Sequence, residues 1–206
     1  MRDKVSSSKF SWLFMATSED VKPDYDVVLL ETDNFVVLPS LGALVETWLV
    51  VVPKRPVSCL AELNDIELSE LNSLASDLRK SISGKEKVFT FEHGGKLGSV
   101  VSCSVDQAHL HVVGLSFDLI DAAMSKSEIV WTKYGKCIRD SLRAMDGREY
   151  LYMSDGKDHY WSYPKEKTSQ WFRKLIARNE GCADRWDYKL YPNFESVRKM
   201  AKSFGK

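Results

Sequence analysis

Gln107-Ala108-His109-Leu110-His111-Val112-Val113 alternates between polar and apolar residues over its first six positions. A two-residue period marks a strand with one buried face. On that reading Gln107, His109 and His111 share one face, and Ala108, Leu110 and Val112 the other. At a rise of about 3.4 Å per residue the two imidazoles stand about 7 Å apart. Both can then reach one phosphate-sized group. Imidazole serves as nucleophile, base or acid near neutral pH without large tuning. Residues 94–104, just upstream, are rich in Gly and Ser and offer backbone N–H groups and hydroxyls.

Outward from this stretch the chain divides into three parts: an arm (1–25), a domain (26–128) and an extension (129–206). The arm is polar, with one anchoring patch around Trp12 and Phe14. Residues 27–31, 35–39 and 47–52 are apolar runs separated by turn-forming clusters, and they read as a three-stranded meander. Leu68, Leu71, Leu74, Ala75, Leu78 and Ile82 keep helical spacing. Asn64 and Glu67 form a capping box at the start of that helix, Leu63 can staple onto Leu68, and Gly84 is placed to end it. Residues 87–92 read as a fourth strand, and the His109 stretch as a fifth. Ser116 is placed to cap a helix over 117–126, and a short helix is expected around 137–143. In the extension, residues 149–153 and 159–163 flank Ser154-Asp155-Gly156-Lys157, a hairpin signal. Trp171, Phe172, Leu175 and Ile176 form a helical stripe ended by Gly181. Asn193 can cap a last helix whose Phe194, Val197, Met200, Ala201 and Phe204 face inward. The fold class expected is α+β: an antiparallel sheet of about five strands with helices on one side, plus an α/β extension.

Composition narrows the function. The 206 residues contain 44% hydrophobic residues, and 29 basic residues balance 29 acidic ones. Such a chain is globular. It lacks the basic excess of a non-specific nucleic-acid binder. Cys59, Cys103, Cys137 and Cys182 form no C-x-x-C pair, so reduced and mostly buried thiols are expected. The apolar run 10–16 is too short to span a bilayer and lacks a cleavage-like end, which points to a cytoplasmic protein.

The stretch 107–113 resembles the His-φ-His-φ-His-φ-φ signature of the histidine triad (HIT) superfamily, whose members are nucleotidyl hydrolases and transferases. Phe91-Glu92-His93-Gly94, together with Ser169-Gln170-Trp171-Phe172-Arg173 and Trp186-Asp187-Tyr188, resembles a branch of HIT-like proteins with a C-terminal extension. The resemblance implies a nucleotide substrate and no cofactor. It assigns His109 as the nucleophile on an α-phosphate, with a covalent nucleotidyl-imidazole intermediate. The other His109 nitrogen would be held as N–H by a backbone carbonyl of the same strand. His111 would bond a non-bridging phosphate oxygen. Gln107 stands where the signature has its first histidine; it can donate and accept hydrogen bonds but cannot carry a proton. Ser104 falls where triad proteins often carry a serine near the leaving phosphate, with Ser102 and Ser99 as weaker candidates. His93 is a candidate phosphate donor or acid, and Arg173 is the best placed of Lys54, Arg55, Arg173 and Lys174 to neutralise polyphosphate. Phe35 and Leu41 are candidates for a base pocket.

Each residue also has a plainer reading. His109 and His111 can be satisfied histidines of a half-buried strand, His93 and the serines turn residues, and the cations solvated surface. His93, Cys103, His109 and His111 are zinc-type ligands, but their spacing is not that of a known zinc site, and no metal is expected. Three rival functions stay open: a nucleotide-binding module without turnover, which Gln107 favours; an aprataxin-like enzyme acting on nucleic-acid ends, which the neutral charge disfavours; and a scaffolding role. Association with a membrane is not expected, and homodimerisation is left open.

Overall fold

The structure, a computed structural model, describes residues 9–14, 22–82, 84, 87–95, 107–145, 148–166 and 169–206. Eight antiparallel strands form one sheet: β1 (Leu30–Glu31), β2 (Phe35–Pro39), β3 (Trp48–Pro53), β4 (Lys87–Gly94), β5 (Leu110–Leu115), β6 (Thr132–Lys133), β7 (Tyr150–Ser154) and β8 (His159–Ser162). Their order is β1-β2-β3-β5-β4-β7-β8-β6. The first five in that order are the strands read from sequence. The other three come from the extension and continue the sheet through β4, where Phe91 pairs with Met153 and His93 with Leu151. The sheet therefore has eight strands and not about five. The 150–162 hairpin forms where its turn signal places it.

The helices cover both faces of the sheet and not one. β2 and β3 are buried at every residue, as an antiparallel sheet requires only when neither face meets water. On one face, Phe35, Val37, Leu49, Val51, Leu110 and Val112 pack with α1 (Asp65–Ile82), α3 (Ile138–Arg143) and α5 (Phe194–Ser203). On the other, Trp48, Phe89, Phe91 and Val113 pack with α2 (Leu119–Met124) and α4 (Trp171–Asn179). Phe10, buried to 2% exposure, covers Val36, Leu38, Val50 and Val52 on that second face. The arm is thus anchored chiefly by Phe10. Trp12 is half-buried and donates its indole N–H to Asp26 at 3.0 Å.

Local chemistry sets the helix ends. Asn64 Oδ1 accepts from the Glu67 N–H, and Glu67 Oε2 accepts from the Asn64 N–H, closing the expected capping box. Leu63 and Leu68 are buried in the same cluster. The cap of α2 is Asp118, not Ser116: its carboxylate accepts from the N–H groups of Ile120 and Asp121. Two residues farther along, it is the first side chain able to reach those orphan donors. Asn193 caps α5 by accepting from the Ser196 N–H. Val197, Met200 and Ala201 are buried, whereas Phe194 is exposed rather than inward-facing, because it lies on the solvent side of the first turn beside Tyr25. Among the described cysteines Cys59 is buried and Cys137 and Cys182 are half-buried thiols. No helix among the described residues is long and apolar enough to cross a membrane.

One buried polar cluster ties the first domain to the extension. Glu92 accepts from the Leu60 N–H at 2.8 Å and from the Tyr150 hydroxyl, which in turn accepts from the Ala61 N–H at 3.2 Å. Tyr150 reaches across because its strand partner is Gly94, where any Cβ would strike the tyrosine ring. Burial pushes the Glu92 carboxyl from 4.5 up to about 8. An acid held above its unfolded pKa contributes stability that is complete below the unfolded value and lost as pH rises through the folded one. Wild-type stability should therefore decline between about pH 4.5 and pH 8 relative to Glu92→Gln, whose carbonyl oxygen can still accept from the Leu60 N–H, whose amide N–H can donate to the Tyr150 oxygen, and which has no titrating proton. Urea unfolding of both forms at several pH values checks this. Parallel profiles would show that Glu92 folds as a carboxylate.

Candidate functional site

The strand register assembles the site. His111 in β5 sits opposite Val50 of β3 and Phe91 of β4. Its ring stacks on Phe91 with centroids 4.5 Å apart. Trp48, two residues from Val50 on the same face, is diagonal to it, within reach of a large side chain. The Trp48 indole N–H donates to His111 Nδ1 at 2.9 Å. Indole has no acceptor nitrogen, so neutral His111 carries its proton on Nε2 and presents a donor there. His109 lies just before β5, partly open to the cavity, with Nδ1 2.9 Å from the Gln107 carbonyl oxygen. A carbonyl can only accept, so Nδ1 holds the proton and Nε2 keeps its lone pair. The two rings meet edge to face, 4.7 Å apart. Adjacent imidazoles thus hold opposite tautomers, one Nε2 with a lone pair and one with a proton to donate.

Electrostatics keep these rings neutral. Burial pushes His109 from 6.5 down to about 4, with Lys9 and Arg173 adding repulsion. His111 is driven well below its ordinary range by burial, then by His109 and Arg173. His93, on the same face of β4, is pushed down to about 3 chiefly by burial, then by His109 and Lys174. Neutral rings beside Arg173, and beside Lys9, which is itself ion-paired with Asp26 at 3.6 Å, make a site suited to an anion.

A cavity of about 40 Å³ opens beside these rings. His109, His111, Phe91, His93, Ser40, Leu41 and Val50 line it from the first domain, Lys9 and Phe10 from the arm, and Gln170, Phe172, Arg173 and Tyr188 from the extension. His109, His111, His93 and Arg173 therefore line one cavity, and Leu41 joins them. Phe35 does not, because it points to the opposite face.

Three expectations are revised by the placement of side chains. β5 begins at Leu110, so Gln107 lies outside the strand. Its side chain turns away from the cavity: Oε1 accepts from the Val57 N–H at 3.2 Å, and Nε2 donates to the carbonyls of Pro53 at 3.0 Å and Arg55 at 2.8 Å. What Gln107 contributes to the site is its backbone carbonyl. Arg173 is buried, donating Nε to Trp186 O at 2.7 Å and Nη2 to Gly42 O, with its guanidinium 4.9 Å over the Trp48 ring. It brings charge to the cavity wall and also locks the extension to the first domain. Lys54 and Arg55 are committed elsewhere, to Glu31 at 2.7 Å and Glu67 at 2.5 Å. Ser99, Ser102, Ser104 and Cys103 lie outside the described residues. Among the described residues no group of three or more His, Cys, Asp or Glu is arranged to hold a metal ion.

Sequence reading missed Trp48, Lys9, Phe10 and Gln170. Trp48 could have been suspected from strand alternation, but its meeting with His111 depends on a register between distant strands. Gln170 entered only as part of the 169–173 stretch, with no role of its own. It adopts φ 54° and ψ 37°, a left-handed conformation that non-glycine residues rarely hold. Its side chain is buried, with Oε1 lacking a partner.

Residues 22–118 match the family model described as the HIT domain. That stretch is similar to the HIT domain, and β1 to β5 and both site histidines lie inside it. No curated protein matches the sequence. Among solved structures, a DUF4931 family protein from Bacillus cereus ATCC 10987 is similar at 12% identity and a TM-score of 0.46, over 87% of this chain and 100% of that one.

Trp48→Phe should release the His111 tautomer while keeping an aromatic ring in the core. Nitrogen NMR of His111 should change from a single Nε2–H form to a mixture. A pure Nε2–H form in the variant would show that Trp48 only fills space.

Proposed function

We propose that this protein is a nucleotide hydrolase or nucleotidyltransferase of the histidine triad type, acting at an α-phosphate through His109. The observation that carries the reading is the pairing of opposite tautomers in adjacent rings. His109 Nε2 attacks the α-phosphorus, an N–P bond forms, and the bond from phosphorus to the leaving group breaks. The ring becomes cationic in this step, and its Nδ1–H bond to the Gln107 carbonyl strengthens, so that contact favours the transition state over the ground state. His111 Nε2–H donates to a non-bridging oxygen as charge develops. Water or another acceptor then attacks phosphorus, the N–P bond breaks, and the neutral imidazole returns. Lys9 and Arg173 supply positive charge around the phosphate. The cavity of about 40 Å³ accommodates a phosphoryl group and not a whole nucleotide. The nucleoside therefore lies outside it or displaces the Phe10 side of the wall. Substrates of this kind are dinucleoside polyphosphates and nucleoside phosphoramidates.

His109→Ala should lower turnover at least about a thousandfold with little change in nucleotide affinity, because a nucleophile acts in the transition state. Intact-protein mass spectrometry after rapid quench with a panel of nucleotides should show a nucleotidyl adduct on the wild type and none on the variant. More than about a tenth of the wild-type rate in the variant would remove His109 from the nucleophile's role.

The pH profile is a second test. With its pKa pushed down to about 4, His109 is an unprotonated nucleophile at any higher pH, and kcat/KM should fall only as pH drops through that value. Single-turnover rates measured while circular dichroism reports a folded chain should stay flat through pH 6.5. An acid limb near 6.5 would mean that the nucleophile is a solvated imidazole.

A further inference from the structure

β4 has two faces, and the second also carries a polar cavity. Phe91 and His93 point toward the site above, whereas Thr90, one residue from Phe91, lines a separate cavity of about 150 Å³. Cavities of that size admit a benzene-sized guest. This one is walled by Arg79 of α1, Lys136 before α3, Ser154 and Gly156 of the β7–β8 turn, and His159 of β8.

Its donors lack partners. Arg79 Nη1 is buried without a hydrogen bond. The guanidinium lies against the Gly156 backbone, where φ is +86° and any Cβ would come within 2.4 Å of Arg79 Nε. His159 is 3% exposed, and its Nε2 is likewise buried without a partner. Its Nδ1 lies 2.8 Å from the Tyr152 hydroxyl oxygen. An anion site here takes the tautomer in which the Tyr152 O–H donates to Nδ1. Neutral His159 then carries its proton on Nε2, as a donor. Three carboxylates lie near enough to act on these groups, Asp155 on Arg79 and Asp155, Asp158 and Asp140 on His159, but each also has partners outside the cavity. Asp155 accepts from the N–H groups of Lys157 and Asp158, Asp158 pairs with Lys133 at 2.8 Å, and Asp140 faces the Lys136 N–H and Arg139. A buried guanidinium nitrogen and a buried imidazole N–H, both unpaired, are costly to keep empty.

We propose that this cavity is a second binding site, for a phosphate-type oxyanion, held by Arg79, His159 and Lys136 on the face of the sheet opposite His109. Arg79 and His159 direct N–H groups at the anion, and Lys136 adds charge at the mouth. The source is free inorganic phosphate or the terminal phosphate of a larger molecule; the volume leaves room beyond the anion itself. The site is independent of the nucleotidyl chemistry and stands whether or not that chemistry occurs.

The test is thermal unfolding of the full chain in inorganic phosphate against sodium chloride of equal ionic strength, with His109→Ala as background to remove the triad nucleophile. At phosphate about five times its Kd, Tm should rise by about 2–4 °C beyond the chloride control. The rise should survive in His109→Ala and vanish in Arg79→Met. Lys136→Met, a change at an exposed position, should weaken phosphate binding several-fold if Arg79→Met fails to fold. A nucleoside monophosphate that matches or exceeds inorganic phosphate, with the same dependence on Arg79, would identify a phosphate monoester as the occupant. No phosphate-specific rise, or a rise that persists in Arg79→Met and Lys136→Met, would overturn the proposal.

Discussion

The site rests on how one glutamine divides its polar groups. The Gln107 side chain makes hydrogen bonds to three backbone groups in residues 53–57, where the chain leaves β3. Those bonds hold the 107–109 backbone in place, and the Gln107 carbonyl then meets His109 Nδ1. Glutamine suits this because it both accepts and donates twice. A neutral imidazole offers one donor and one acceptor and cannot make the same three bonds. Replacing the signature's first histidine therefore need not remove a proton carrier from the cavity. In this chain that position supports His109 from behind.

What could be read from the sequence was what is local. The capping box of α1, the 150–162 hairpin, the cap of α5 and the proximity of His109 to His111 each depend on a few neighbouring residues. The even burial of β2 and β3 was written in their unbroken apolar runs, though one-sided packing was the reading given to them. What could not be read depends on long-range register. The β4–β7 pairing turns an appended segment into a continuation of the sheet. The β3–β5 register places Trp48 beside His111. The phase of Gln107 shifted because β5 starts three residues later than the alternation suggested.

Gln170 is a different sort of omission. A left-handed glutamine with a buried, unpartnered oxygen costs energy on two accounts, and nothing in its neighbours announces it. It lies at the start of α4, where the extension meets the cavity. Strain held at such a place is characteristic of positions that contact ligands. Together with Arg173 and Phe172, it makes the extension part of the cavity wall, so the HIT-matched region alone does not enclose the site.

The outermost strands of the sheet, β1 and β6, are two residues long each. A border so short exposes too few N–H and C=O groups to template another chain. β4, which would be a long open border without the extension, is sealed by β7. Among the described residues, the sheet's outer borders therefore offer no long margin for pairing strand to strand with another chain.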